Sequence, residues 1–193
     1  LKQTKDQELC HAVAHEAAIY NQLRDDKKSL EILFKTLKTI QNKNEDFGKV
    51  ILLKKIAEIY TSMKDYKKAK SNLYSALNKM KTVKSDSLLN RINQSLFKNH
   101  MLTESDSSFF YLQKVNHYYK KIGDDLSYYI LYSNNFNYYI AQNNPKLAKI
   151  SIDSCVYYAK KSKEKDSILL ALGNLVYNQV QIEKNYKKGK ETY

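Results

Sequence analysis

A chain of 193 residues with 42% hydrophobic content is long enough to bury a core, and one Pro with four Gly leaves little material for the tight turns of a β-rich fold. The formal charge of +13 invites an acidic partner, but among the 33 basic residues only Arg24 and Arg91 are arginines and the lysines are scattered. That argues against direct nucleic-acid contact, because phosphates and base edges are best held by the guanidinium fork.

From the N-terminus, the predicted elements are helices near 4–23 and 26–42, 46–63 and 66–83, 86–101 and 104–122, 125–142 and 145–163, then 166–183 and a stub from 186. They are fixed by an internal repeat. The segment "DYKKAKSNLY" at Asp65 to Tyr74 recurs as "NYKKGKETY" at Asn185 to Tyr193, and its central small residue marks a series: Ser29, Ala69, Ser108, Ala148 and Gly189. The spacings are 40, 39, 40 and 41. Four residues after each marker stands a large residue (Leu33, Leu73, Leu112, Ile152, Tyr193), and three further on a smaller one (Thr36, Ala76, Val115, Cys155), which places them on one helical face.

Nine residues before the marker come Tyr20, Tyr60, Tyr139 and Val180; in the third repeat a three-residue loop insertion is needed to bring Leu96 to that place. Asp46, Asp86, Asp125 and Asp166 recur with the same period and are expected to cap the first helix of each hairpin, their charge suiting the positive end of the helix dipole. Pro145, the only proline, falls where the second helix of the fourth repeat should begin, at a position whose missing amide costs nothing. These marks predict an all-α fold, a right-handed α-solenoid of antiparallel helix hairpins forming one domain over 1–193, with repeats at 1–43, 44–84, 85–123, 124–164 and a truncated 165–193.

The second repeat, "IAEIYTSMKDYKKAKSNLYSAL" from Ile56 to Leu77, resembles a tetratricopeptide repeat (TPR), with Ala57, Tyr60, Tyr66, Ala69, Leu73 and Ala76 at the signature positions. The fourth repeat agrees through Tyr139, Ala148 and Ile152, and the first through Ala17, Tyr20 and Leu33; in the third and fourth, Asn93 and Phe136 replace the usual small residue of the first helix. The period is longer than the family's roughly 34 residues and the repeat-end proline is missing. The Tyr/Lys/Asn-rich texture is also similar to the sensory regions ahead of helix-turn-helix regulators or histidine kinases in Bacteroidetes.

The resemblance implies a concave groove lined by the first helices. Carried onto this register, its positions are Lys54 and Glu58; Asn90, Arg91, Gln94 and Lys98; Ser133, Asn134 and Asn137; and Asn174 and Asn178. Asparagines on successive turns offer donor and acceptor to the backbone of an extended peptide whatever its sequence, and Lys54, Arg91 and Lys98 could hold a carboxylate. A protein or peptide ligand is the expected partner, and an open solenoid end exposing Leu169, Leu172 and Val176 suggests homo-oligomer formation.

No enzyme chemistry and no cofactor are expected. "HAVAHE" puts His11 and His15 one turn apart, but a third ligand and a general base are not evident, so they read as groove or surface histidines. His100 and His117 accompany no nucleophile, a glycine-rich phosphate loop is lacking, and the paired acids Asp25/Asp26 and Asp124/Asp125 fall in turns where they serve as caps. Cys10 and Cys155 lie too far apart along a solenoid to pair, which suits a reducing cytosol and equally a cysteine-poor protein of an oxidising compartment. The longest apolar run, Ile168 to Val176, is interrupted by Gly173 and Asn174 and is too short for a membrane span. A start at Leu1 and a stop just inside a new helix suggest a piece of a longer protein.

Overall fold

Six of the helices begin where a side-chain oxygen accepts from a free amide, and the first helices of four hairpins end where a residue turns left-handed. In the computed structural model, which describes residues 5–182, 184 and 186–192, the elements are α1 (Lys5–Gln22), α2 (Asp26–Ile40), α3 (Asp46–Ser62), α4 (Tyr66–Lys79), α5 (Asp86–Leu102), α6 (Ser107–Ile122), α7 (Asp125–Ala141), α8 (Pro145–Ser162), α9 (Lys165–Tyr177), a π-helical turn (Asn178–Ile182) and α10 (Tyr186–Thr192). The all-α fold of consecutive antiparallel hairpins expected from the repeat is the one that forms. Tyr193 and Asn185, which belong to the fifth-repeat marks, and Thr4 at the expected start of the first helix lie outside the described residues.

The hairpin turns are the most regular feature. Arg24, Lys64, Glu104 and Asn143 each adopt positive φ (65°, 62°, 50° and 50°), and the next residue donates its N–H to the carbonyl five residues back: Asp25 to Tyr20, Asp65 to Tyr60, Ser105 to His100 and Asn144 to Tyr139, at 2.8–2.9 Å. This is the Schellman closure of a helix end. It corrects the third repeat. The residue matching Tyr20, Tyr60 and Tyr139 is His100, not Leu96, and Phe97 rather than Asn93 stands where Ala17, Ala57 and Phe136 stand. The turn holds no insertion; the Ser108 marker follows its closure residue one position sooner than the others. With Glu104 left-handed, α6 cannot start at 104 and begins at Ser107.

The capping residues also differ from expectation by one or two positions. Glu45, Ser85 and Asp124 are the N-caps of α3, α5 and α7, accepting from the amides of Gly48, Leu88 and Ser127, and Glu164 precedes α9 without a side-chain cap bond. Asp46, Asp86, Asp125 and Asp166 lie inside the first turn, where their charge meets the dipole. Three acids on first helices also clasp the end of the hairpin: Asp6 pairs with Lys43 at 2.8 Å, Asp46 with Lys79 at 3.3 Å and Asp125 with Lys161 at 3.0 Å. Asp25, Asp65 and Asn144 cap the second helices, and Pro145 occupies the first turn of α8 as expected.

The chain divides into two compact units between Ser108 and Phe109. In the first, α1 packs on α2 and α3, and α3 on α4 and α5, around Cys10, Ala17, Leu33, Ile40, Leu52, Ile56 and Ile59. In the second, α7 and α8 form the most extensive pair, α9 packs on α8, and the core comprises Tyr129, Phe136, Ala148, Ile152, Cys155, Ala159 and Ala171. All five small markers are buried. The reason shows at two of them: Ser29 donates to the carbonyl of Ala17 at 2.6 Å, and a Cβ on Gly189 would overlap Val180, the residue nine positions earlier. Only a small side chain permits so close a helix approach.

Candidate peptide-binding cleft

Counting back from Tyr20, Tyr60 and His100 aligns α1, α3 and α5 residue by residue. Ten positions back stand Cys10, Val50 and Asn90, all buried, so Asn90 (4% exposed) belongs to the core side and not to a groove. One residue on, His11, Ile51 and Arg91 face a common cleft of about 370 Å³ between the three first helices of the first unit. Ala14 and His15 of α1 and Lys54 and Lys55 of α3 line it further, while Phe47 and Leu88 supply apolar wall and Ser85 and Ser87 bring hydroxyls from the start of α5. The His11 ring lies against Phe47, ring centres 6.2 Å apart and planes tilted by 51°.

The charge of this cleft is partly compensated. Lys54 and Lys55 both bond the Glu58 carboxylate, the second at 2.7 Å. Burial pushes the Glu58 acid upward, but the two ammonium groups outweigh it and hold the carboxyl below its ordinary range. The Arg91 and His15 side chains, both exposed, have no ion-pair partner among the described residues. A neighbouring hollow of about 300 Å³, formed by α3, α5, the turn after α3 and the start of α4, takes Glu58 and Lys98 together with Thr61, Tyr66 and Asn99. Asn99 is tied to Thr61 by hydrogen bonds of 3.0 and 3.3 Å and so fixes α5 against α3. Of the expected carboxylate clamp, Lys54 and Arg91 thus share one cleft and Lys98 lines the next. Gln94 is half-buried on α5, at the register position of Lys54.

In the second unit the same register positions of α7 carry Ser133 and Asn137, with Asn134 beside them. Asn137 is exposed; Asn134 is half-buried, with its Nδ2 group enclosed and without a hydrogen-bond partner among the described residues; Asn174 is half-buried on α9. Asn178 is wholly buried in the π-helical turn and leaves the accessible set, because that turn swings it inward beside Gln179. The ladder of amides is therefore reduced to Asn134, Asn137 and Asn174 in this unit. A second cluster went unforeseen. Tyr128 and Tyr132, one turn apart on α7, stack on Tyr158 of α8 with ring centres 4.9 and 5.6 Å away. Burial raises the phenol of Tyr132, with Tyr158 and Tyr128 adding to the effect.

The titratable groups elsewhere are structural. Burial raises the Cys10 thiol to about 11, helped by Glu45 and Asp6, and that of Cys155 to about 12. Both thiols are free and packed in cores. His100 is buried between the Tyr74 hydroxyl, 2.8 Å from Nε2, and the Ser105 hydroxyl, 2.9 Å from Nδ1. Among the described residues no three His, Cys, Asp or Glu side chains converge as metal ligands, and no helix is long and apolar enough to cross a membrane.

No protein-family profile matches the sequence, and no curated protein matches it. The fold does have solved counterparts. A kinesin light chain-like protein of Podosopora anserina, built of nearly identical TPR-like repeats, superimposes with a TM-score of 0.73 over 98% of this chain and 93% of its own, at 15% identity. A single-substitution variant of that protein gives 0.74 over 99% and 93%. The chain has the fold of TPR-like repeat proteins.

Proposed function

We propose that this chain is a non-catalytic TPR-like scaffold that binds a peptide or protein segment on the faces of its first helices. The observation that carries the reading is the cleft in which α1, α3 and α5 contribute residues at one register: three helices, each buried on its other face, present His11, Ile51 and Arg91 to the same space. A surface of this kind, concave and assembled from successive repeats, is what an extended segment needs. The exposed amide of Asn137 and the half-buried one of Asn174 extend the same chemistry to the second unit.

The test uses a peptide selected from a random library on the immobilised chain. Replacing Asn137 and Asn174 together by Ala weakens it by about tenfold, the value of one or two amide hydrogen bonds, without lowering the melting temperature. Unchanged affinity contradicts the reading. Two finer readings have their own support. Of the expected apolar set on α9 only Leu169 is exposed, Leu172 and Val176 being half-buried, but Leu170 joins it, and these two leucines, 72% and 62% accessible, favour self-association through that helix, which light scattering reads as a concentration-dependent mass. The Tyr/Lys/Asn-rich texture favours the input region of a bacterial regulator, and a helix-turn-helix or kinase domain in the same gene would carry that reading.

A further inference from the structure

We infer that the cleft between α1, α3 and α5 receives the phosphorylated side chain of a bound peptide, an assignment that rests on the peptide-binding reading and names the chemistry of its anchor. The argument begins with charge. Lys54, Lys55 and Arg91 bring three positive charges to the cleft and Glu58, bonded to both lysines, removes one, so two remain. A phosphomonoester carries close to two negative charges at neutral pH, about −1.5 to −2, and matches them. A carboxylate or a phosphodiester, each a monoanion, leaves one unmatched.

Geometry adds to this. Arg91 offers a planar fork to two phosphoryl oxygens, and its guanidinium is not engaged by any acid among the described residues. His11 and His15 project from consecutive turns of α1 on the facing wall, and the Ser87 hydroxyl stands at the start of α5, so the third oxygen has donors as well. The apolar groups of Phe47 and Leu88 suit the carbon stem of a side chain, which bare phosphate lacks.

The experiment titrates the whole chain, 15N-labelled, with N-acetyl-phosphoserine amide, its unphosphorylated parent and inorganic phosphate. The phosphorylated compound binds at least about tenfold tighter than either of the others and moves the amide signals around His15 and Arg91. Arg91→Gln removes about tenfold of that affinity and His15→Gln less, with the spectrum of the fold otherwise unchanged; both side chains are exposed, so neither substitution disturbs packing. Equal binding of the parent compound overturns the assignment, as does inorganic phosphate binding equally well or an Arg91→Gln protein that binds as the unaltered one does. Because the probe is a single residue, it reads the cleft even if the paired Asn137 and Asn174 substitution shows that no extended peptide is held.

Discussion

Helices α3 and α7 are both 17 residues long, both lead their hairpins, and both carry in the last turn a tyrosine whose carbonyl closes the turn, yet they present opposite chemistries. At equivalent positions α3 carries Lys54, Lys55 and Glu58, held in an ionic cluster, and α7 carries Ser133, Asn134 and Asn137. The partner helices barely differ where they touch the core: Ala69, Leu73 and Ala76 on α4 answer to Ala148, Ile152 and Cys155 on α8, all fully buried. One face of the hairpin is set by packing, and the other is left open to choice. The stability of each unit should therefore reside in the second-helix triad, and any recognition in the first-helix face.

The comparison breaks most easily at the core. Leu73→Ala and Ile152→Ala should each cost about 2–5 kcal/mol, while Asn137→Ala stays within about 0.5 kcal/mol, as measured by urea unfolding. A face substitution as damaging as a core one would end the separation. The helix starts are a finer check. Asp65 and Asn144 cap α4 and α8 by accepting from the amides of Lys68 and Leu147, at 3.1 Å in both, so replacing either by Ala should cost about 1 kcal/mol in each unit alike.

A subtler contrast lies at the turn-closing position, where His100 replaces the tyrosine of its counterparts. Burial, with Lys70 adding to it, lowers the His100 pKa from its ordinary 6.5. The folded chain thus takes up this proton later than the unfolded one, so the stability His100 contributes is complete above pH 6.5 and declines as pH falls below that value. Urea midpoints measured from pH 7.5 down to 5 should fall in the unaltered protein and fall less in His100→Gln. An unchanged slope would show that the imidazole is not what titrates.

Most of the fold was legible because it follows from spacing. Small markers forty residues apart were all found buried, and Pro145 starts α8, since close helix approach and a missing amide each constrain residue type strongly. The capping residues were displaced, Asp46 for Glu45 and Asp86 for Ser85, because an acid in the first turn and an acid or serine at the cap carry the same signal. The site was less legible. Anchoring the third repeat on Leu96 instead of His100 rotated α5 by four residues and put the buried Asn90 in the groove. A histidine with the role of a tyrosine gave no apolar signal; the turn chemistry did, in Glu104 and Ser105 at the same distance from Lys64 and Asp65 as the repeat period. With His100 as the anchor, His11, Ile51 and Arg91 fall at one register position of the three first helices.

The central claim is that recognition belongs to the first helices. It is tested most directly by mapping amide chemical shifts of the 15N-labelled chain as a library-selected peptide is added. The account predicts perturbations along α1, α3, α5 and α7 with α2, α4 and α8 silent; perturbations centred on α2, α4 or α8 would contradict it.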